Sequence, residues 1–151
     1  RLLDEDDIRT LAIKYAHSLD QGDLAPLRDI LTDDICCQFC PSGEWQGLNS
    51  VIQNFEQVFL DLGGVPFTSM HAGSGHCIHF LDANNATGRR QLMDFMTTRP
   101  PKDNPVMWLA LYDEAYQRTD NGWRISSISV EFLWPERHIS AEFSNKKLPS
   151  S

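Results

Sequence analysis

The hydrophobic pattern of this chain changes period once, between Leu62 and Thr68, and that change dictates the architecture. Before it, apolar residues recur at helical spacing; after it, long alternating runs are broken by turn residues. From Asp4 to Leu19 the residues Ile8, Leu11, Ala12, Tyr15 and Leu19 share one helical face, and the acidic run Asp4 to Asp7 suits a helix N-terminus. Gly22 can stop that helix, and Asp23 can cap a short second one over Leu24 to Leu31, with Pro26 tolerated in its first turn. A third helix is expected over Leu48 to Leu62, presenting Val51, Ile52, Phe55, Val58 and Phe59 and ended by Gly63-Gly64. Ile35 to Phe39 reads as a short strand, and Pro41 to Gly47 as a turn region.

Four longer strands follow: Thr68 to Leu81, Ala86 to Thr97, Val106 to Arg118 and Trp123 to Trp134. Asn121-Gly122 is a hairpin signal between the last two. Helices first and a meander after them predict an α+β domain over residues 1–138. A curved, mixed but mostly antiparallel sheet wraps the three N-terminal helices and encloses a pocket. Residues 139–151 read as a polar, mobile tail.

The 151 residues suit one core, and the net charge of -8 opposes phosphate backbones and anionic membranes. Nucleic acid and membrane are therefore not expected as partners. No apolar run approaches a membrane span, and the first residues lack the basic-then-apolar pattern of a secretory signal, so the cytoplasm is the default location. A homo-oligomer, a dimer first, is expected to pair through the outer face of the sheet.

Cys37 and Cys40 have CxxC spacing, but no second ligand pair matches it, so Cys36, Cys37, Cys40 and Cys77 read as free thiols. No nucleotide loop, metal constellation or nucleophile elbow appears, which implies no cofactor and leaves proton transfer on a small organic molecule. Asp20 stands at a helix C-terminus, where the helix dipole disfavours a carboxylate, so another interaction must hold it there. Tyr15 shares the apolar face with Leu11 and Leu19, and its hydroxyl needs a partner. His71, His76 and His79 lie on one strand; the first and last share a face, unless Gly73 or Gly75 introduces a bulge. Asp94 shares a face with Arg90, Leu92 and Met96 on the next strand.

The motifs that carry a resemblance run from Asp4 to Trp134. They are Lys14-Tyr15-Ala16-His17-Ser18-Leu19-Asp20, Gly22-Asp23, Leu31-Thr32-Asp33-Asp34, Gly47, Met70-His71, Ala86-Thr87-Gly88-Arg89, and the Tyr112 to Tyr116 strand leading into Asp120-Asn121-Gly122-Trp123-Arg124-Ile125. In this order they resemble the SnoaL-like branch of the nuclear-transport-factor-2-like superfamily. The pattern looks closest to lyases of the bile-acid 7α-dehydratase and scytalone dehydratase type. The resemblance implies a cone-shaped fold and a cofactor-independent elimination with Tyr15, Asp20, His71 and Asp94 as site residues, and it singles out His71 among the three histidines. The bile-acid enzyme carries an arginine on its last strand, whereas Ser129 to Trp134 contains none.

The expectation is a dehydratase acting on a hydrophobic, cyclic, steroid-like or polyketide-like carbonyl compound. His71 would be the base, Asp20 its orienting partner, Tyr15 a donor to the enolate oxygen and Asp94 an assistant to the leaving group. A ketosteroid-type isomerase or polyketide cyclase would use the same groups, and a non-catalytic binding or structural subunit would share the fold.

Overall fold

The computed structural model describes residues 1–39, 43–103, 106–140 and 143. Helix α1 spans Leu2–Gln21 and buries Ile8, Leu11, Ala12 and Tyr15, the stripe its spacing predicts. It ends at Gly22 in the left-handed conformation (φ 73°), whose N–H reaches the carbonyls of Ser18 and Leu19. Helix α2 is a single turn, Leu27–Ile30. It is shorter than expected because Ala25 and Pro26 form a turn before it, with Pro26 as its N-cap, and the next strand already claims Leu31. Asp23 accepts the N–H of Ala25 just before that turn. Helix α3, Leu48–Asp61, buries Leu48, Val51, Ile52 and Phe55.

Strand β1 runs Leu31–Phe39 and β2 Glu44–Gln46; the long strands are β3 Ser69–Phe80, β4 Asn85–Met96, β5 Val106–Thr119 and β6 Gly122–Trp134. The sheet order is β2-β1-β6-β5-β4-β3. All neighbours are antiparallel except β1 and β6, which run parallel. Two expectations are corrected here. The region 41–47 contains β2, which pairs Cys37 with Trp45, and β1 begins at Leu31 instead of Ile35 because Leu31 pairs with Ile125 of β6.

The sheet's inner face and the helices share one core, including Ile8, Tyr15, Val51, Leu92, Tyr112, Tyr116 and Ile128. Cys37 joins it, and burial pushes its thiol up to about 12. Cys36 faces the other way, donating to Glu44, and Cys77 is exposed. Cys40 lies outside the described residues.

Two residues of the expected polar tail contact the sheet. Glu131 is buried on the outer face, and Ser140 folds back to meet its carboxylate with both N–H (2.7 Å) and hydroxyl (2.6 Å), while the Phe143 ring lies on Arg89. A buried carboxylate needs such donors, and the segment after His138 supplies them. No helix among the described residues is long and apolar enough to cross a membrane.

Candidate active site

The interaction that holds Asp20 at the end of α1 is strand β3. The Asp20 carboxylate accepts the main-chain N–H of His71 (3.0 and 3.2 Å) and stands 2.5 Å from His71 Nδ1, while its own carbonyl accepts the N–H of Phe67 (2.6 Å). Phe67, with φ of 60°, is the one non-glycine residue with positive φ among the described residues, and it makes the turn that presents β3 to the helix end. A carboxylate fixed by one backbone donor and one ring nitrogen has little freedom to swing away. Asp20 is buried, so the interaction also replaces the water the carboxylate has lost.

With Nδ1–H donating to Asp20, the neutral ring carries its lone pair on Nε2. That nitrogen points toward Asp94, whose Oδ2 is 3.8 Å away. Asp94 is itself anchored by the Ser69 hydroxyl, which donates to Oδ1. Burial works against a charged His71, but the Asp20 hydrogen bond and the nearby charges of Asp94 and Asp20 outweigh it and raise the pKa above the ordinary histidine value. Arg90 opposes them more weakly.

Asp20, His71, Ser69, Thr68 and Asp94 line one side of a cavity of about 150 Å³ whose other walls are apolar, among them Leu19, Leu24, Phe55 and Phe59. Few convergent polar groups in an apolar cavity is the composition of a small-molecule site. Three of the four sequence candidates thus meet.

Tyr15 is the fourth, and it stands behind that wall. Its ring is buried edge-on between Phe55 (6.1 Å) and Tyr112 (6.2 Å). Burial, then the neighbouring Tyr112, push its pKa well above the ordinary phenol value, so it holds its proton. Its hydroxyl has no hydrogen-bond partner among the described residues, yet Thr32 Oγ1 is the only fully buried side-chain polar atom left unpartnered there. Tyr15 is not among the residues that line the cavity.

The sequence reading missed a second polar group beside this one. Arg90 and Glu114 are buried and joined through Nε (3.1 Å) and Nη2 (2.7 Å), Tyr116 donates to Glu114 (2.5 Å), and His76 Nε2 lies 2.9 Å from the Tyr116 oxygen. The Arg90 guanidinium also stacks on Tyr112, 4.0 Å from the ring centre. His76 reaches this group because β3 is bulged: Gly75 and His76 together face Arg90, between the Ser74↔Gln91 and Cys77↔Arg89 pairs, with Gly75 at φ 61°. The alternation that put His71 with His79 is thereby reset. The glycines in Gly73-Ser74-Gly75 were the available signal.

The SnoaL-like domain family matches residues 1–129. No curated protein matches the chain in sequence. A scytalone dehydratase-like protein from Novosphingobium aromaticivorans superposes with a TM-score of 0.74 at 18% identity, the match covering 93% of this chain and 91% of that one. A hexachlorocyclohexane dehydrochlorinase from Novosphingobium barchaimii gives 0.73 at 18% identity, covering 93% and 97%. An NTF2-like protein with a cystatin-like fold, also from Novosphingobium aromaticivorans, gives 0.73 at 17% identity, covering 95% and 88%. At such identities the likeness is one of fold.

Proposed function

The chain belongs to the SnoaL-like domain family, and from that premise and the geometry around His71 we propose that it is a cofactor-independent lyase, a dehydratase. Its substrate is a hydrophobic cyclic compound, steroid-like or polyketide-like, with a hydroxyl β to a carbonyl. The observation that carries the reading is the 2.5 Å contact between His71 Nδ1 and Asp20, which turns Nε2 toward Asp94 at the wall of an apolar cavity.

His71 Nε2 takes the proton next to the carbonyl, and the C–H electron pair moves into the enolate. Asp20 holds the ring in the productive tautomer and balances the imidazolium. Tyr15, behind the cavity wall, acts by holding that wall in place through its packing on Phe55 and Tyr112. As the enolate collapses, the C–O bond to the hydroxyl breaks, and the proton on Nε2 passes to the departing oxygen with Asp94 beside it. The products are an unsaturated ketone and water, and His71 returns neutral.

Two related dehydro-type proteins share the fold, which supports an elimination over other proton-transfer outcomes. The test is a mass-spectrometric screen of cyclic β-hydroxy-ketones for loss of water. Turnover that yields products of unchanged mass would replace the lyase reading with an isomerase, and no turnover across the panel, with ligand binding retained, would leave a binding protein.

A further inference from the structure

A second opening lies across His71 from the first. Between α1 and the middle of β3 runs a groove of about 420 Å³ whose polar wall is Arg9, His17, His71, Ser74, His76 and Arg90. Ala12, Ile13 and Ala16 of α1 form its apolar side. Among the described residues no carboxylate lines it, in a chain of net charge -8. The acidic partners stand behind: Glu114 beneath Arg90, and Glu5 beside Arg9.

The donors left over point to what fits. Glu114 engages Nε and Nη2 of Arg90 and leaves Nη1, which lies 3.4 Å from where a β-carbon would stand on Gly73. The missing side chain at Gly73 keeps that nitrogen open to the groove. At His76 the hydrogen-bond direction is fixed by its neighbours. A Glu114 carboxylate paired with Arg90 accepts from Tyr116, so the Tyr116 oxygen accepts from His76 Nε2–H. Nδ1 of His76 then has no protein partner among the described residues. It is an acceptor in the neutral ring and a donor once protonated.

We propose that this groove is a second binding site, for an organic carboxylate. The anion is received by Arg90 Nη1 and by His76, which takes a proton from solvent onto Nδ1 as the anion arrives. The hydrocarbon part of the ligand lies on Ala12, Ile13 and Ala16. Without ligand, burial keeps His76 below the ordinary histidine pKa, with Glu114 pulling the other way and Arg90 and Arg9 adding to the depression. His17 and His71 complete the titratable groups around it. An incoming anion reverses that balance, so binding and protonation are coupled. The inference stands apart from the lyase reading, because it requires no turnover.

The probe is naphthalene-2-carboxylate, compared with the neutral naphthalene-2-carboxamide, titrated calorimetrically into the full chain near neutral pH in two buffers of different ionisation enthalpy. The carboxylate is expected to bind about tenfold or more tightly than the amide, as a charge-assisted contact requires, with net proton uptake. His76→Gln can still donate to Tyr116 but cannot take the proton, so it should lose both the preference and the uptake. Gly73→Val, whose side chain occupies the groove beside Arg90, should weaken both ligands; where it fails to fold, His76→Gln decides alone. Equal binding of acid and amide, or a preference that survives His76→Gln, overturns the proposal, as does absence of proton uptake. Because the readout is binding, an inactive protein that still prefers the acid leaves the groove standing and removes only the lyase.

Discussion

His71 must be neutral to accept a proton, yet its surroundings favour the charged ring. The acidic limb of kcat/KM is therefore expected above the ordinary histidine value of 6.5, and Asp20→Asn should move it downward; a limb at or below that value in the wild type would contradict the assignment. The same shift has a stability sign. A folded-state pKa raised above the unfolded one stabilises fully below the unfolded value, and this contribution is lost as pH rises through the folded value. The melting-temperature advantage of the wild type over His71→Gln should thus narrow with rising pH across that range. His71→Ala or Asp20→Asn should each lower kcat by about 10²–10⁴, and the two together should cost little more than one. Tyr15→Phe should cost less, because the ring keeps its contacts with Phe55 and Tyr112. A double variant with wild-type turnover on the true substrate would end the proposal. Of these groups, Asp20 announced itself in the sequence as a carboxylate at the wrong end of a helix dipole. Its partner did not, since His71 is 51 positions away and was distinguished from His76 and His79 only by family resemblance.

Helix α1, helix α3 and the four long strands were legible because each is long enough for its apolar period to repeat. The three-residue β2 was not, being too short for its alternation to repeat. The Arg90–Glu114 pair was equally hidden: it joins residues diagonal across β4 and β5, where Arg90 faces Tyr112 and Glu114 faces Gly88, so only the register reveals it. Glu114→Gln should destabilise the protein by about 3–5 kcal/mol, since it leaves a buried guanidinium without its counter-charge; an unchanged denaturant midpoint would show that water reaches Arg90. The junction of α1 and α3 is as demanding. At Gly22 the backbone is left-handed, and a β-carbon would stand 2.3 Å from the Phe59 ring. Gly22→Ala should therefore cost about 1–3 kcal/mol through strain and overpacking, and it should also slow turnover by shifting the carboxylate two residues before it. Full activity in a destabilised Gly22→Ala protein would separate the cap from the site.

Across the whole molecule, the last strand among the described residues lies inside the sheet. β6 sits between β1 and β5, so it alone connects the N-terminal strands to the β3–β5 meander. During synthesis the first helix and β1 leave the ribosome long before β6 exists, and until Gly122–Trp134 emerges the inner face has no strand to seat Leu31 and Cys37 against. The nascent protein must carry that apolar surface uncovered and close it in one late event, which favours slow folding and calls for a chaperone's shelter. A chain stopped at Asn121 should accordingly be digested rapidly by protease, whereas the full chain resists. A stopped chain that resists equally would mean that the earlier strands close without β6.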